Sequence, residues 1–84
     1  MQIQLLFFAG LRETLGVASE TLEVPDNIST IAALRAFLAA RGDPWAVLVS
    51  GKNLRTAVNQ SMAKDDTAFH PGDEIAFFPP VTGG

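Results

Sequence analysis

The sequence predicts a single small domain of the α+β class, in which one helix covers one face of a sheet. Apolar residues recur at helical spacing in one segment only, and that segment stands between segments whose side chains alternate as in strands. A chain of 84 residues also has room for one hydrophobic core and no second lobe. The expected order is strand, strand, helix and then two or three strands over residues 1–78, followed by an extended tail over residues 79–84.

The first strand is expected over residues 2–9, which are rich in β-forming residues. One of its faces is entirely apolar and comprises Ile3, Leu5 and Phe7. The other face begins with glutamines and becomes apolar at Leu6 and Phe8. This change indicates that the end of the strand is covered, either by a second protein or by the loops of the chain itself.

A short helical turn closed by Gly16 and a second strand at residues 19–24 should follow. Ser29 or Thr30 can cap the one clear helix of the sequence, which Gly42 then ends. The apolar positions of this helix recur at helical spacing and are Ile31, Leu34, Phe37 and Leu38.

The segment after the helix is less regular. Residues 45–49 are apolar without a clear period, so a short strand or a buried helical turn fits them, and we favour the strand. Residues 54–59 return to a strand pattern. A tight turn at residues 70–73 then leads into a last strand at residues 74–78.

We expect the first and last strands to lie side by side at the centre of the sheet. Ile75 and Phe77 would then join the apolar face of the first strand and pack against the helix. The opposite, open face would carry three apolar side chains, Leu6, Phe8 and Phe78. An apolar patch is therefore expected beside the root of the tail.

Composition excludes several classes of function. The net charge is −3 and no basic cluster is present, which argues against a nucleic-acid partner. No cysteine is present, so disulfides and thiolate chemistry are excluded and a reducing cytoplasm suits the chain. No apolar run is long enough to span a membrane and no signal peptide is evident, so we expect a cytoplasmic protein without a membrane partner.

No autonomous active site, metal site or cofactor site is predicted. His70 has no serine or cysteine partner at a recognisable spacing and is better read as a turn residue. Four carboxylates lack the alternation of a calcium loop and should be solvated: Asp65, Asp66, Asp73 and Glu74. Any chemistry should therefore be shared with a partner protein.

The tail is the segment best suited to chemistry. Pro79 and Pro80 favour a stiff, extended arm, and Gly83 and Gly84 have no side chain, so the arm can enter a very narrow channel. A carboxylate at Gly84 is a poor electrophile, so it needs prior activation, and a separate ATP-dependent enzyme is implied. The activated glycine could accept an amine, as in a protein modifier, or sulfur, as in a thiocarboxylate. A merely frayed chain end is the alternative.

Three segments of the chain resemble the small, sulfur-carrying subunit of molybdopterin synthase. They are LFFAGLRE at residues 6–13, AVNQ at residues 57–60 and GDEIAFFPPVTGG at residues 72–84. The closing motif is specific, whereas a bare Gly-Gly end also occurs in thiamine sulfur carriers and ubiquitin-like modifiers. The resemblance implies a ubiquitin-like β-grasp fold, with a mixed sheet covered by one main helix and an extended Gly-Gly tail.

The same resemblance implies a function. Gly84 would be adenylated by a partner enzyme that uses ATP, converted to a thiocarboxylate and inserted into the large subunit of the synthase. There it would give its sulfur to cyclic pyranopterin monophosphate. The chain would bind no cofactor itself, and a heterotetramer with the large subunit is expected. The alternatives are a sulfur carrier for thiamine or tRNA thiolation, and a modifier conjugated through Gly84.

The resemblance also implies roles for individual residues. Phe8, Met62 and Phe78 match hydrophobic positions at the family's interface with the large subunit. Met62 is a substitution within that pattern and should still serve as an adaptable apolar contact. The residues expected inside the partner's channel are Pro80, Val81, Thr82 and Gly83.

Overall fold

The computed structural model describes residues 1–51 and 53–80. Within these ranges the chain forms five strands and three helices. Their bounds are β1 Gln2–Phe7, α1 Ala9–Leu15, β2 Ser19–Glu23, α2 Ile31–Ala39, α3 Val47–Ser50, β3 Arg55–Val58, β4 Ser61–Ala63 and β5 Glu74–Phe78. No helix in the described ranges has both the length and the apolar character that a bilayer crossing requires.

The five strands form one mixed sheet in the order β2-β1-β5-β3-β4. The two central strands, β1 and β5, run parallel, and the other neighbours are antiparallel. Leu5 lies opposite Ile75 and Phe7 lies opposite Phe77, so both strands direct their apolar side chains to the inner face of the sheet. The predicted central position of the first and last strands is confirmed.

The hydrophobic core lies between the inner face of the sheet and α2. Thr30 caps this helix, since its hydroxyl accepts a hydrogen bond from the backbone N–H of Ala33 at 3.3 Å. The three core positions of the helix are completely buried, as predicted: Ile31, Leu34 and Leu38. From the sheet side, Phe7 and Phe77 are buried with their rings stacked at a centroid distance of 6.0 Å. Burial of these side chains is the main stabilising term for the fold.

The helical turn predicted after the first strand is confirmed as α1. Gly16 closes it in the left-handed conformation, with φ of 74°, and donates its backbone N–H to the carbonyl of Arg12. Leu11 and Leu15 are buried beneath the helix. Because α1 begins two residues after β1 ends, it stands at the same end of the sheet as the end of β5.

Residues 47–50 form one helical turn, α3, so our preference for a strand in this segment is wrong. The turn buries Leu48 completely and leaves Val49 59% exposed. β3 is already flanked by β4 and β5, so the adjoining sheet offers this segment no free strand partner. A helical turn satisfies its backbone locally, through bonds such as that from Gly51 N–H to the Val47 carbonyl.

One ion pair ties the connection between α2 and α3 to the edge of the sheet. Arg41 donates hydrogen bonds to both carboxylate oxygens of Glu20 on β2. Its guanidinium also lies over the ring of Trp45, at 4.4 Å from the centroid, and Trp45 in turn contacts Phe7 edge-on at 5.6 Å. The hydrogen bonds from Arg41 hold the pKa of Glu20 below its usual value.

Candidate docking face and tail root

The face of the sheet that points away from α2 carries an apolar row. The strand register places Leu6 between Ser19 and Ala76, and places Ala57 between Ala76 and Met62. These five side chains therefore form one line across all five strands. Ser19 ends the row at β2, two alanines lie in its middle, and Met62 ends it at β4.

Two aromatic side chains border this row at the end of the sheet where the tail begins. Phe8 follows β1 and remains 46% exposed, while Phe78 ends β5 and is half-buried. The backbone N–H of Phe8 donates to the Phe77 carbonyl at 3.2 Å, which keeps Phe8 beside β5. Met62, on the edge strand β4, ends the row and is 63% exposed.

We call Leu6, Phe8, Met62 and Phe78 the docking patch. The described loops of the chain leave Phe8 and Met62 substantially uncovered, so the loops do not provide the cover that the strand pattern indicated. Exposed apolar groups gathered on one face of a small protein are typical of a binding surface. The structure thus places on one face of the sheet the three residues that the resemblance assigns to an interface, Phe8, Met62 and Phe78.

The tail leaves the sheet directly from this patch. Pro79 and Pro80 follow Phe78 without an intervening loop and are both half-buried. Pro80 is therefore the one predicted channel residue that the structure describes. The other predicted tail residues lie outside the described residues: Val81, Thr82, Gly83 and Gly84.

A tight turn positions the strand that carries Met62. Asn59 and Gln60 join β3 to β4 with positive φ angles of 50° and 70°, as in a type I′ hairpin. The Asn59 amide donates to Oδ1 of Asp73 at 3.0 Å, and its carbonyl oxygen accepts from the backbone N–H of Glu74 at 2.9 Å. Asn59 thereby fastens the hairpin to the start of β5. Sequence reasoning missed this role, although an asparagine between two strands was a usable turn signal.

The predicted turn at residues 70–73 is confirmed. Gly72 has φ of 85°, and Asp73 N–H donates to the His70 carbonyl at 3.1 Å. The amide of Asn59 and the backbone N–H of His70 both donate to the Asp73 carboxylate and lower its pKa. His70 itself is exposed. Within the described ranges, no three acidic or histidine side chains are grouped in a way that could hold a metal ion.

A basic side chain, Arg55, stands next to the aromatic end of the docking patch. It begins β3 and is exposed, and it lies directly opposite Phe78 in the ladder with β5. Cross-strand partners share a face, so the guanidinium belongs to the open face. No carboxylate among the described residues lies within ion-pair distance of it. Sequence reasoning also missed this residue, because its neighbours follow only from the register.

The other side of the molecule has a hollow of about 170 Å³ between α2 and α3. Arg35 in its wall donates to the Leu54 carbonyl at 3.1 Å and to Oγ1 of Thr56 at 3.0 Å, which ties α2 to β3. Its Nε is buried without a partner among the described residues. The lining residues are Ala32, Arg35, Ala36, Leu48, Val49 and Asp65.

Comparison with known proteins establishes the family. The sequence pattern of the ThiS family matches residues 5–84. The chain belongs to the ThiS family. It is 45% identical over 82 residues to the molybdopterin synthase sulfur carrier subunit of Escherichia coli, with 98% of this chain and 99% of that protein covered. The protein of the same name from Haemophilus influenzae is 44% identical, with the same coverage. The resemblance to the small subunit of the synthase is confirmed.

Solved structures confirm the ubiquitin-like β-grasp fold. SAMP1 from Haloferax volcanii superposes with a TM-score of 0.74 at 26% identity, and both chains are fully covered. Ubiquitin from Caldiarchaeum subterraneum superposes with a TM-score of 0.58 at 21% identity, over 100% of this chain and 98% of that one. A complex of subunits 1 and 2 of the molybdopterin-converting factor from Helicobacter pylori contains the same fold, with a TM-score of 0.67, 22% identity and full coverage of both chains.

Proposed function

We infer that this chain is the sulfur carrier subunit of molybdopterin synthase and acts in molybdenum cofactor biosynthesis. The observation that carries the inference is its 44–45% identity, over nearly the whole length of both chains, to two proteins of that name. The docking patch at the root of the tail supports it, since a carrier without its own active site must work while bound to other proteins.

In this proposal Gly84 supplies the reacting carboxylate. A partner enzyme first joins that carboxylate to the AMP portion of ATP and releases pyrophosphate. A sulfur nucleophile then displaces AMP and leaves a thiocarboxylate on Gly84. ATP is bound and used by the activating enzyme, and this chain holds no cofactor of its own. The whole sequence of steps belongs to the cytoplasm, where ATP is available.

The second partner in the proposal is the large subunit of the synthase. The docking patch binds outside its active site, and the arm from Pro79 to Gly84 spans about 20 Å when extended, enough to reach a buried site. Pro80, Val81, Thr82 and Gly83 lie in the channel, where a stiff arm loses less conformational entropy than a flexible one. Sulfur then passes from Gly84 to cyclic pyranopterin monophosphate, and water supplies the oxygen that returns Gly84 to a carboxylate. Two copies of each subunit would form the heterotetramer.

The decisive experiment is the mass of the intact chain after incubation with its activating enzyme, ATP and a sulfur donor. We expect an increase that matches the replacement of one oxygen by sulfur, located at Gly84 by fragmentation. Deletion of Gly84 should abolish both the mass change and sulfur transfer, while Gln60→Ala, at the opposite end of the sheet, should retain them. An unchanged mass in the complete reaction would refute the proposal.

A second candidate function is a ubiquitin-like modifier attached to lysines through Gly84. The likeness to SAMP1, a small archaeal modifier protein, favours it. This function predicts high-mass adducts in cells that disappear when Gly84 is deleted. Transfer of sulfur to thiamine or to tRNA is a further alternative, and it is distinguished by offering the thiocarboxylated chain to each acceptor system in turn.

A further inference from the structure

Arg55 places a charge beside the docking patch, whose members are all apolar. It lies opposite Phe78 across the ladder between β3 and β5, at the end of the open face from which the tail departs. Any partner that covers Phe78 must therefore also cover or border this guanidinium. The proposed docking of the large subunit makes the environment of Arg55 part of that interface.

Two other arginines of the chain are held by groups of the fold itself. Arg41 is held by the carboxylate of Glu20, and Arg35 is held by the Leu54 carbonyl and the Thr56 hydroxyl. Each of these guanidinium groups is used within the fold. Among the described residues, Arg55 has no such partner, and neither has Arg12 on α1. Of these two arginines, only Arg55 lies directly across the ladder from Phe78.

A guanidinium that loses its water at an interface without gaining a hydrogen-bonding partner destabilises the complex, and a carboxylate is the partner that also offsets the charge. An arginine beside the aromatic end of a binding surface therefore constrains the chemistry of the surface that meets it. The charges of this chain also restrict how a partner can be oriented on the open face. Its net charge is −3, and the opposite end of the open face carries the carboxylates of Glu23 and Glu74.

We propose that Arg55 is a specificity-determining residue of the docking face, and that it pairs with a carboxylate of the large subunit next to the pocket that receives Phe78. The proposal rests on the proposed function. Apolar contacts of the patch hold the complex together, whereas the pair fixes its orientation and discriminates against surfaces that lack an acidic group at this point.

The test measures binding of the variants to the large subunit from the same organism by calorimetry. Arg55→Gln should weaken binding by about tenfold, and Arg55→Glu by more, because it places two like charges together. Gln60→Glu is the matched control. It makes the same change in net charge as Arg55→Gln, but in the turn between β3 and β4, and it should leave the affinity within about twofold of the unmodified chain.

Two further readouts separate pairing from a structural effect. Arg55→Lys keeps the charge but not the fork of donors, so it should bind more weakly than the unmodified chain and more tightly than Arg55→Gln. The defect of Arg55→Gln should also shrink as salt is raised, because ions screen the pair it removes. Equal urea midpoints for the variants, followed by the fluorescence of Trp45, would show that the fold is unchanged.

The outcomes distinguish this inference from the function on which it rests. If Phe78→Ala weakens binding while Arg55→Gln and Arg55→Glu bind like the unmodified chain, the pairing is refuted and the docking patch stands. If Gln60→Glu weakens binding as much as Arg55→Gln, only net charge matters and the pairing is likewise refuted. If the unmodified chain does not bind the large subunit, both the inference and the proposed partner fail.

Discussion

The two faces of the central sheet are built from adjacent residues but meet opposite surroundings. Phe77 points inward, is completely buried and stacks on Phe7. Phe78, the next residue, points outward and is half-buried beside the exposed Phe8. The two phenylalanines have the same chemistry and differ only in the face that strand alternation gives them. One face is completed by α2, and the other is left without a covering element among the described residues.

This difference shows how so small a chain can have both a packed core and an apolar surface that is available for binding. The inner face supplies the folding energy, since the core must offset the conformational entropy of the whole chain. The outer face contributes less to folding, and its apolar area remains available for binding. Substitutions on the inner face should therefore lower the free energy of unfolding, whereas substitutions on the outer face should weaken binding to the large subunit.

The largest effect is expected from Phe77→Ala. Truncating a completely buried phenylalanine should lower the free energy of unfolding by about 3–5 kcal/mol, through lost burial and the cavity that remains. Urea unfolding followed by the fluorescence of Trp45, the single tryptophan, measures this change. A loss below about 1 kcal/mol would show that the inner face is not the main source of stability.

Phe78→Ala should act mainly on binding. If this aromatic ring anchors the interface, its loss should weaken binding to the large subunit by about 1–3 kcal/mol, and Phe8→Ala should do the same. The free energy of unfolding should change much less than in Phe77→Ala. Calorimetry and urea unfolding on the same preparations make the comparison, and unchanged affinity in both variants would argue against the docking patch.

Asn59→Ala tests whether the hydrogen bonds of Asn59 stabilise the hairpin that carries Met62. The substitution removes the bonds to Asp73 and Glu74 and leaves a β-carbon at φ of 50°, so unfolding should become easier by about 1–2 kcal/mol. Asn59→Gly is the matched variant, because it removes the same bonds without backbone strain. If both variants unfold like the unmodified chain, the hairpin that carries Met62 does not depend on this side chain.

The smallest effect concerns the ion pair between Glu20 and Arg41. The pKa of Glu20 is lowered in the folded chain, so the pair stabilises the fold above the usual glutamate pKa and is lost as the pH falls through the folded value. Glu20→Gln should cost about 0.5–1 kcal/mol at neutral pH. The difference from the unmodified chain, measured by urea unfolding, should narrow in acid. A gap that stays constant with pH would contradict this assignment.

Much of the architecture follows from the sequence, because periodicity reports burial directly. Alternation in the first and last strands separates Phe77 from Phe78, and the spacing of Ile31, Leu34 and Leu38 identifies the helix that covers the core. The Gly-Gly motif and the residues before it indicate the family. These signals are local, and each one depends on a single element.

Features that depend on the meeting of two elements were not predictable in the same way. Residues 47–50 contain two β-branched valines that favour a strand, and the tertiary context overrides that preference. Arg55 becomes a neighbour of Phe78 only through the register of β3 with β5. The hydrogen bonds of Asn59 likewise depend on where the turn at residues 70–73 brings Asp73.

The parallel pairing of β1 and β5 means that the sheet can be completed only near the end of synthesis. β1 is made first but receives its central neighbour only when residues 74–78 have been added. A nascent or truncated chain that stops earlier can form two local hairpins, β1 with β2 and β3 with β4, but it cannot join them. Phe8 and Phe78 therefore come together only in a chain that already includes the strand from which the tail extends.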